Sequence, residues 1–284
     1  MMTIDDEIQS VIGLDVSCDT VTLFDSLTSQ TMTVANRCDE LRSALEAFAG
    51  RGGLLAVCEA TGGYEDELLA ALAMLAIPAH RADAAKVKSY IRSFGKRAKT
   101  DAIDAQWLAR YGCDRGRTLA PWRPAEANHS RISLLAARRM DLVAMRVQEK
   151  NRLKAPRART IAVDIKDHIA ELERRIDAIE LEIKTLINND PGLRQRESAL
   201  RTIPGVGETI AAFLIATMPE LGSMNRRQAA CLAGCAPHPR DSGRMTGHRT
   251  TTGGRRHIRP MLFIAALTAI RGKNDLAAAY KAFL

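Results

Sequence analysis

Aromatic residues make up only 4% of this 284-residue chain, too few for stacking on exposed rings to be a main mode of nucleic-acid binding. The six cysteines, at 18, 38, 58, 113, 231 and 235, are scattered, so no disulfide framework is expected and the thiols should be reduced. No apolar run is long enough to span a bilayer. The opening MMTIDDEIQS is polar and acidic and lacks the basic-then-apolar layout of a signal peptide. These absences predict a soluble protein of the cytoplasm. With 46% hydrophobic residues, the chain has material for two domains with substantial cores.

Lysine is missing from residues 192–271, and acids are sparse there. That stretch holds twelve arginines against Glu197, Glu208, Glu220 and Asp241, and so carries the whole net charge of +8. Arginine is the side chain suited to bidentate phosphate contact, so the C-terminal part reads as a nucleic-acid-binding region. A merely solvated arginine-rich surface is the bland alternative.

Four carboxylates are the most informative feature of the first third. Asp15 ends the apolar run Val11-Ile-Gly-Leu14, Glu59 ends Leu54-Leu-Ala-Val-Cys58, and Asp101 and Asp104 open a helical stretch in Lys99-Thr-Asp-Ala-Ile-Asp-Ala105. Oxygen ligands at the ends of three elements suit hard divalent cations, and two such ions clamp both sides of a phosphate in a displacement. Strands are expected at 11–15, 20–24, 31–35, 54–58 and 78–82, the first two joined by a turn at Ser17-Cys-Asp19. Helices are expected at 37–48, 65–76 and 84–93. A β-meander followed by alternating helix and strand is the order of the ribonuclease-H-like fold. Asp19, Asp25, Glu65 and Asp66 read as turn or helix-start acids, with Glu65 a substitute ligand should Glu59 point inward. Lys96, Arg97 and Lys99, just before Asp101, are candidates for nucleic-acid contact or for a solvated face. Trp107 and Trp122 read as packing residues.

Leu119-Ala-Pro-Trp-Arg-Pro124 marks a boundary, since two prolines in four residues do not continue a helix. The resulting division is an α/β domain at 1–124, a helical coiled-coil linker at 125–190, and a mostly α C-terminal domain at 191–284. In the linker, Ile165, Ile169, Leu172, Ile176, Ile179, Ile183 and Leu186 alternate steps of four and three. This 3.5-residue repeat predicts a helical pair or coiled coil, within the chain or between subunits, or an ordinary helix on a domain core. Further on, Ile203-Pro-Gly-Val-Gly207 enters an apolar helix at 209–218. Such a turn exposes backbone N–H groups to a phosphate, as in helix-hairpin-helix motifs, and makes Gly205 and Gly207 candidate DNA-backbone contacts. A purely structural tight turn is the other reading.

Residues 234–259, GCAPHPRDSGRMTGHRTTTGGRRHIR, are too polar for a core and precede an apolar helix at 260–270. Ser242 stands between Asp241 and Gly243, flanked by Arg240 and Arg244, with Arg249, Arg255 and Arg256 close behind in sequence. A serine hydroxyl needs a base, a metal or a strong positive field to attack phosphate, and neighbouring arginines orient a phosphodiester. By itself Asp-Ser-Gly is also a common turn. Cys231, Cys235, His238 and His248 are too poor a set for zinc, and the two thiols are expected to be buried.

GLDVS at 13–17, CEATGGYE at 58–65, KTDAIDAQWLA at 99–109, IPGVG at 203–207 and LAGCAPHPRDSG at 232–243, followed by GGRRHIR, resemble the IS110 family of DEDD transposases. The motifs span nearly the whole chain in the family's order. The resemblance implies a RuvC-like N-terminal domain whose Asp15, Glu59, Asp101 and Asp104 bind magnesium, with two ions expected, then a coiled-coil arm. It further implies a transposase domain whose Ser242 attacks DNA and forms a covalent phosphoserine link. Dimers and synaptic tetramers are implied, with metal site and serine on different subunits. So is a structured noncoding bridge RNA that pairs with donor and target DNA, in a cytoplasmic, nucleoid-associated setting. Family members continue past the Tyr280 region with a basic segment and a further apolar helix, whereas this sequence stops at Phe283-Leu284; a shortened C-terminal domain is the expectation. Two other functions fit the residues: a RuvC-like nuclease or junction resolvase that uses metal-activated water, and a non-catalytic DNA- or RNA-binding protein.

Overall fold

The computed structural model describes residues 8–95, 100–124, 126–239, 241–243 and 245–284, and the chain divides into two compact units, Met1–Pro124 and Ala125–Leu284. The first unit is built on a five-stranded sheet of β1 (Ser10–Val16), β2 (Thr20–Asp25), β3 (Thr31–Ala35), β4 (Leu54–Glu59) and β5 (Ala79–Ala82), in the order β3-β2-β1-β4-β5. The first three strands form an antiparallel meander. Ser17 closes its first turn by donating its amide to the Thr20 carbonyl at 2.8 Å and accepting the Thr20 amide on its hydroxyl at 3.0 Å. β4 and β5 then run parallel to β1, which requires crossover connections. These are α1 (Cys38–Glu46) and α2 (Asp66–Met74); α3 (Ala84–Ser93) and α4 (Asp101–Arg115) follow β5. Three antiparallel strands continued by two parallel ones, with helices on both faces, constitute the ribonuclease-H-like fold.

Strand alternation divides the core of this unit into two layers. Ile12, Leu14, Val16, Ala56 and Cys58 face Leu41, Leu45, Leu68 and Leu72 of α1 and α2. Val11, Leu55 and Val57 face Val87, Leu108, Ala109 and Tyr111 of α3 and α4. Trp122 packs on the first layer, and Trp107 is buried.

The second unit is largely helical. Its first two helices, α5 (Ala127–Leu153) and α6 (Ala162–Asn189), are joined by a 3-10 turn at Pro156–Ile161. The heptad seam finds its partner inside the chain. Leu172 and Ile176 pack with Leu142, while Ile183 and Ile187 pack with Ile132, Leu135 and Ala136, which makes α5 and α6 an antiparallel hairpin. Arg131–Glu182 and Lys150–Glu173 ion pairs, at 2.7 and 2.8 Å, flank the seam; exposed as they are, they set register more than stability.

Asp190 then starts α7 (Pro191–Arg201) with almost no break. Its side chain accepts the Gly192 and Leu193 amides, and Pro191 takes the first helical position, where no N–H is needed. There follow α8 (Glu208–Thr217), α9 (Arg226–Leu232), a two-stranded ribbon of β6 (Pro237–His238) and β7 (Thr250–Thr251), α10 (Ile258–Ala269) and α11 (Asp275–Phe283). α8 is the centre of this part: Phe213 and Leu214 pack with Ile258 of α10, and Ile215 and Ala216 with α5 and α6. Among the described residues no helix is long and apolar enough to cross a membrane.

Candidate active site

Asp15 and Glu59 follow directly on the paired residues Leu14 and Cys58 of parallel β1 and β4. They therefore stand side by side at the same end of neighbouring strands, whose spacing is about 4.8 Å. By alternation Asp15 shares the face of Val11 and Gly13, and Glu59 that of Leu55 and Val57. This is the face that α4 covers.

Small residues set the path of α4. A Cβ on Gly13 would lie 2.0 Å from the Ala105 carbonyl oxygen and 2.4 Å from the Ala109 nitrogen, so α4 crosses β1 in backbone contact. Lower down, a Cβ on Gly112 would meet Val11 and Val57, and one on Gly116 would meet Ile8 and Leu55. The helix thus descends antiparallel to β1, and its first turn lies at the end of the sheet where Asp15 and Glu59 emerge. That turn carries Asp101 and Asp104. Thr100 caps it, accepting the Ile103 amide at 3.3 Å, and two acids in a first turn are favoured by the helix dipole. The backbone positions of all four acids are brought to one end of the sheet.

The loops behind these acids are tied down. Asn36 donates its amide group to the carbonyls of Ser17 and Tyr64, both at 2.9 Å, joining the turn after Asp15 to the loop after Glu59. Glu65 organises that second loop from within. Only 1% exposed, its Oε2 accepts the Thr61 amide at 3.1 Å, the Thr61 hydroxyl at 2.7 Å and the Gly63 amide at 2.9 Å, and Arg81 lies 3.6 Å from Oε1. Burial works to raise its pKa, but the Thr61 hydroxyl and the backbone amides outweigh it and hold the carboxyl below its ordinary value. Glu65 is thus a structural acid rather than a substitute ligand. Its signal in the sequence is the Thr-Gly-Gly that precedes it, a loop whose amides need an acceptor.

Hard carboxylate oxygens from three elements at one end of the sheet suit a divalent cation. Among the described residues no three Asp, Glu, His or Cys side chains already form a metal-binding group, so the convergence is one of backbone elements.

In the second unit, Ser242 lies in a tight exposed turn: it exchanges backbone hydrogen bonds with Met245 at 3.0 and 2.9 Å, Gly243 takes φ +57°, and Asp241 accepts the Gly247 amide at 3.2 Å. The β6/β7 ribbon, paired at Pro237–Thr251 and His238–Thr250, carries this turn. Its root is fixed where Arg259 donates to the Gly234 carbonyl at 2.8 Å and the Arg255 amide to the Leu232 carbonyl at 2.7 Å. The Arg255 guanidinium is occupied by both carboxylate oxygens of Glu220 and by the Thr217 carbonyl. It anchors the ribbon, a different use from the phosphate contact its sequence position suggests. Arg249 and Arg256 are exposed. Arg240 and Arg244, like Lys96, Arg97 and Lys99, lie outside the described residues.

The Pro-Gly-Val-Gly turn links α7 to α8. Gly205, at φ +84°, is in backbone contact with α10, since a Cβ would come 2.1 Å from the Ala265 carbonyl oxygen; its role here is packing. Gly207 is exposed at the N-cap of α8 with open space around it, and of the two is the one available to a phosphate. Cys231 and Cys235 are free and exposed, which corrects the expectation of buried thiols. The apolar look of 229–236 misleads because α9 is a seven-residue helix that buries none of its side chains.

A family model of the IS110 DEDD type, described as Transposase, matches residues 12–156, and one described as Transposase IS116/IS110/IS902 family matches 197–281. The chain is 30% identical over 228 residues to the pilin gene-inverting protein of Moraxella bovis, covering 76% of this chain and 67% of that protein. It is 32% identical over 117 residues to the insertion element IS116 uncharacterized 44.8 kDa protein of Streptomyces clavuligerus, covering 40% of this chain and 28% of that one. Among solved structures, Thermus thermophilus RuvC is 14% identical, covers 40% of this chain and all of its own, and superposes with a TM-score of 0.33. The two family models account for the sheet with its acids and for the helical part with its serine, and the chain belongs to the IS110 family of transposases.

Proposed function

We propose that this transposase cleaves and rejoins DNA through a covalent phosphoserine intermediate, with Asp15, Glu59, Asp101 and Asp104 holding two magnesium ions and Ser242 as nucleophile. The observation that supports the reading is that β1, β4 and the first turn of α4, the elements that carry the four acids, meet at one end of the sheet. The Ser242 oxygen attacks the phosphorus of a phosphodiester, the bond to one bridging sugar oxygen breaks, and that sugar leaves with the hydroxyl proton. The protein–DNA ester keeps the bond's free energy, so attack by a new sugar hydroxyl rejoins the strand without ATP. Bound metal would supply charge neutralisation at the reacting phosphate. Exposed Arg249 and Arg256 orient the DNA backbone, and Gly207 offers a backbone amide at a helix start.

The relatives from Moraxella bovis and Moraxella lacunata are both pilin gene-inverting proteins, which supports DNA as the substrate. The choice of DNA sequence is assigned to a structured element-encoded RNA, and the working form to a homo-oligomer. The test is incubation with element-end DNA, its flanking RNA and magnesium, followed by denaturing electrophoresis. Wild type is expected to give a protein–DNA adduct, Ser242→Ala none, and Asp15→Asn or Asp101→Asn strongly reduced cleavage. Cleavage without an adduct would mean a metal–water nuclease, and an adduct surviving Ser242→Ala would sink the serine assignment.

A further inference from the structure

A cleft of about 440 Å³ lies on the outer side of the first unit, lined by Ala85, Lys86, Ser89, Tyr90 and Ser93 of α3 and by Tyr111 and Arg115 of α4. The two helices pair antiparallel through their aromatic side chains. Tyr90 meets Tyr111 edge-on at 5.3 Å, and Phe94 lies 5.3 Å from Trp107. This packing fixes the walls, so the cleft is pre-formed.

Lys86 and Arg115 are the charged residues of its lining, and Asp83 at the start of α3 accepts the Lys86 backbone amide at 3.0 Å. Among the described residues neither Lys86 nor Arg115 has a carboxylate within ion-pair distance, in contrast with Arg51, Arg81, Arg139 and Arg255, which all do. Asp114, the acid on the same turn of α4, is already engaged: Tyr90 donates its hydroxyl to it, and Arg110 lies at 4.0 Å while stacking over Phe94. Lys88 and Arg92 add two exposed cations along α3. Unpaired cations on opposite walls, with the Ser89 hydroxyl further along the α3 wall, are the group types that contact phosphate and sugar without reading sequence.

We infer that the α3–α4 cleft binds the phosphodiester backbone of a nucleic-acid strand at a site separate from the strand-end acids. Arg115 stands eleven residues along α4 from Asp104, about 16 Å at 1.5 Å per residue. That is roughly five nucleotide steps of a duplex strand. The cleft therefore holds a flank of the nucleic acid, or the guide, rather than the bond being cut. It rests on nucleic acid as ligand but not on the serine mechanism.

The experiment is a salt titration of binding by fluorescence anisotropy, using the full chain with a labelled 30-base-pair DNA duplex and, separately, a single-stranded RNA of about the same length. Each lost phosphate contact lowers the slope of log K against log salt by about 0.9 on duplex and about 0.7 on single strand. The double variant Lys86→Gln/Arg115→Gln is expected to lower it by about 1.8 or about 1.4 respectively. Lys166→Gln/Arg157→Gln, which removes two exposed cations from the other unit, serves as control and should retain the wild-type slope. Loss with the duplex alone assigns the cleft to DNA, loss with RNA alone to RNA, and loss with both to either backbone. An unchanged slope in the cleft variant, an equal loss in the control, or no binding by wild type overturns the inference. An adduct that still forms with an unchanged slope overturns it while leaving the serine reading standing.

Discussion

At the scale of single residues, the position of the acids depends on groups with no chemistry of their own. Gly13→Ala forces a methyl group into the α4 backbone. It should cost at least about 1–3 kcal/mol, the range for overpacking a tight contact, read as a lower Tm with weakened response of cleavage to magnesium. Glu65→Ala leaves the Thr61 and Gly63 amides without their acceptor, a loss of about 1–3 kcal/mol. Because the folded pKa of Glu65 lies below its ordinary 4.5, its stabilisation is complete above that pH and fades as pH falls through the lowered value. Glu65→Gln lacks this proton linkage, so its stability, followed by chemical denaturation from pH 6 to pH 3, should fall less steeply than that of wild type. Asp15 and Glu59 are legible in the sequence because each ends an apolar run, where a strand emerges from its sheet. Gly13 and Asn36 are not, since a glycine under a helix crossing and an amide joining two distant loops act through contacts that no local pattern records.

Among the elements, strands and helices of the first unit follow from alternation and amphipathic spacing, and their observed bounds shift by only one or two residues. The heptad repeat predicts that α6 has a narrow apolar partner but does not say which. The partner is α5, whose apolar positions are diluted by Arg138, Arg139 and Asp141 and so read less regularly. Ile176→Ala should therefore destabilise the second unit by about 2–5 kcal/mol and lower its Tm with no dependence on protein concentration, as an intrachain seam requires. The ribbon that carries Ser242 is the least legible element. Two-residue strands within a polar glycine-rich stretch carry no periodicity, and the contacts that hold their root involve Arg255, Arg259 and carbonyl groups far away in sequence.

Over the whole molecule, the charge asymmetry is readable by counting, whereas the three segments expected from the sequence stand against two compact units, Met1–Pro124 and Ala125–Leu284. What composition conceals is that each unit builds a hydrophobic core of its own, the first around its sheet and the second around α5, α6 and α8. Thermal unfolding should accordingly resolve two calorimetric transitions, with Gly13→Ala lowering one and Ile176→Ala the other; a single transition moved by both would contradict this. Separate cores also make the chain suited to genetic complementation. A lesion confined to one unit leaves the other folded, so Asp15→Asn and Ser242→Ala proteins, the first strongly impaired and the second inactive, are expected to regain adduct formation when mixed if acids and serine are supplied by different subunits, and to show no gain if one chain must supply both.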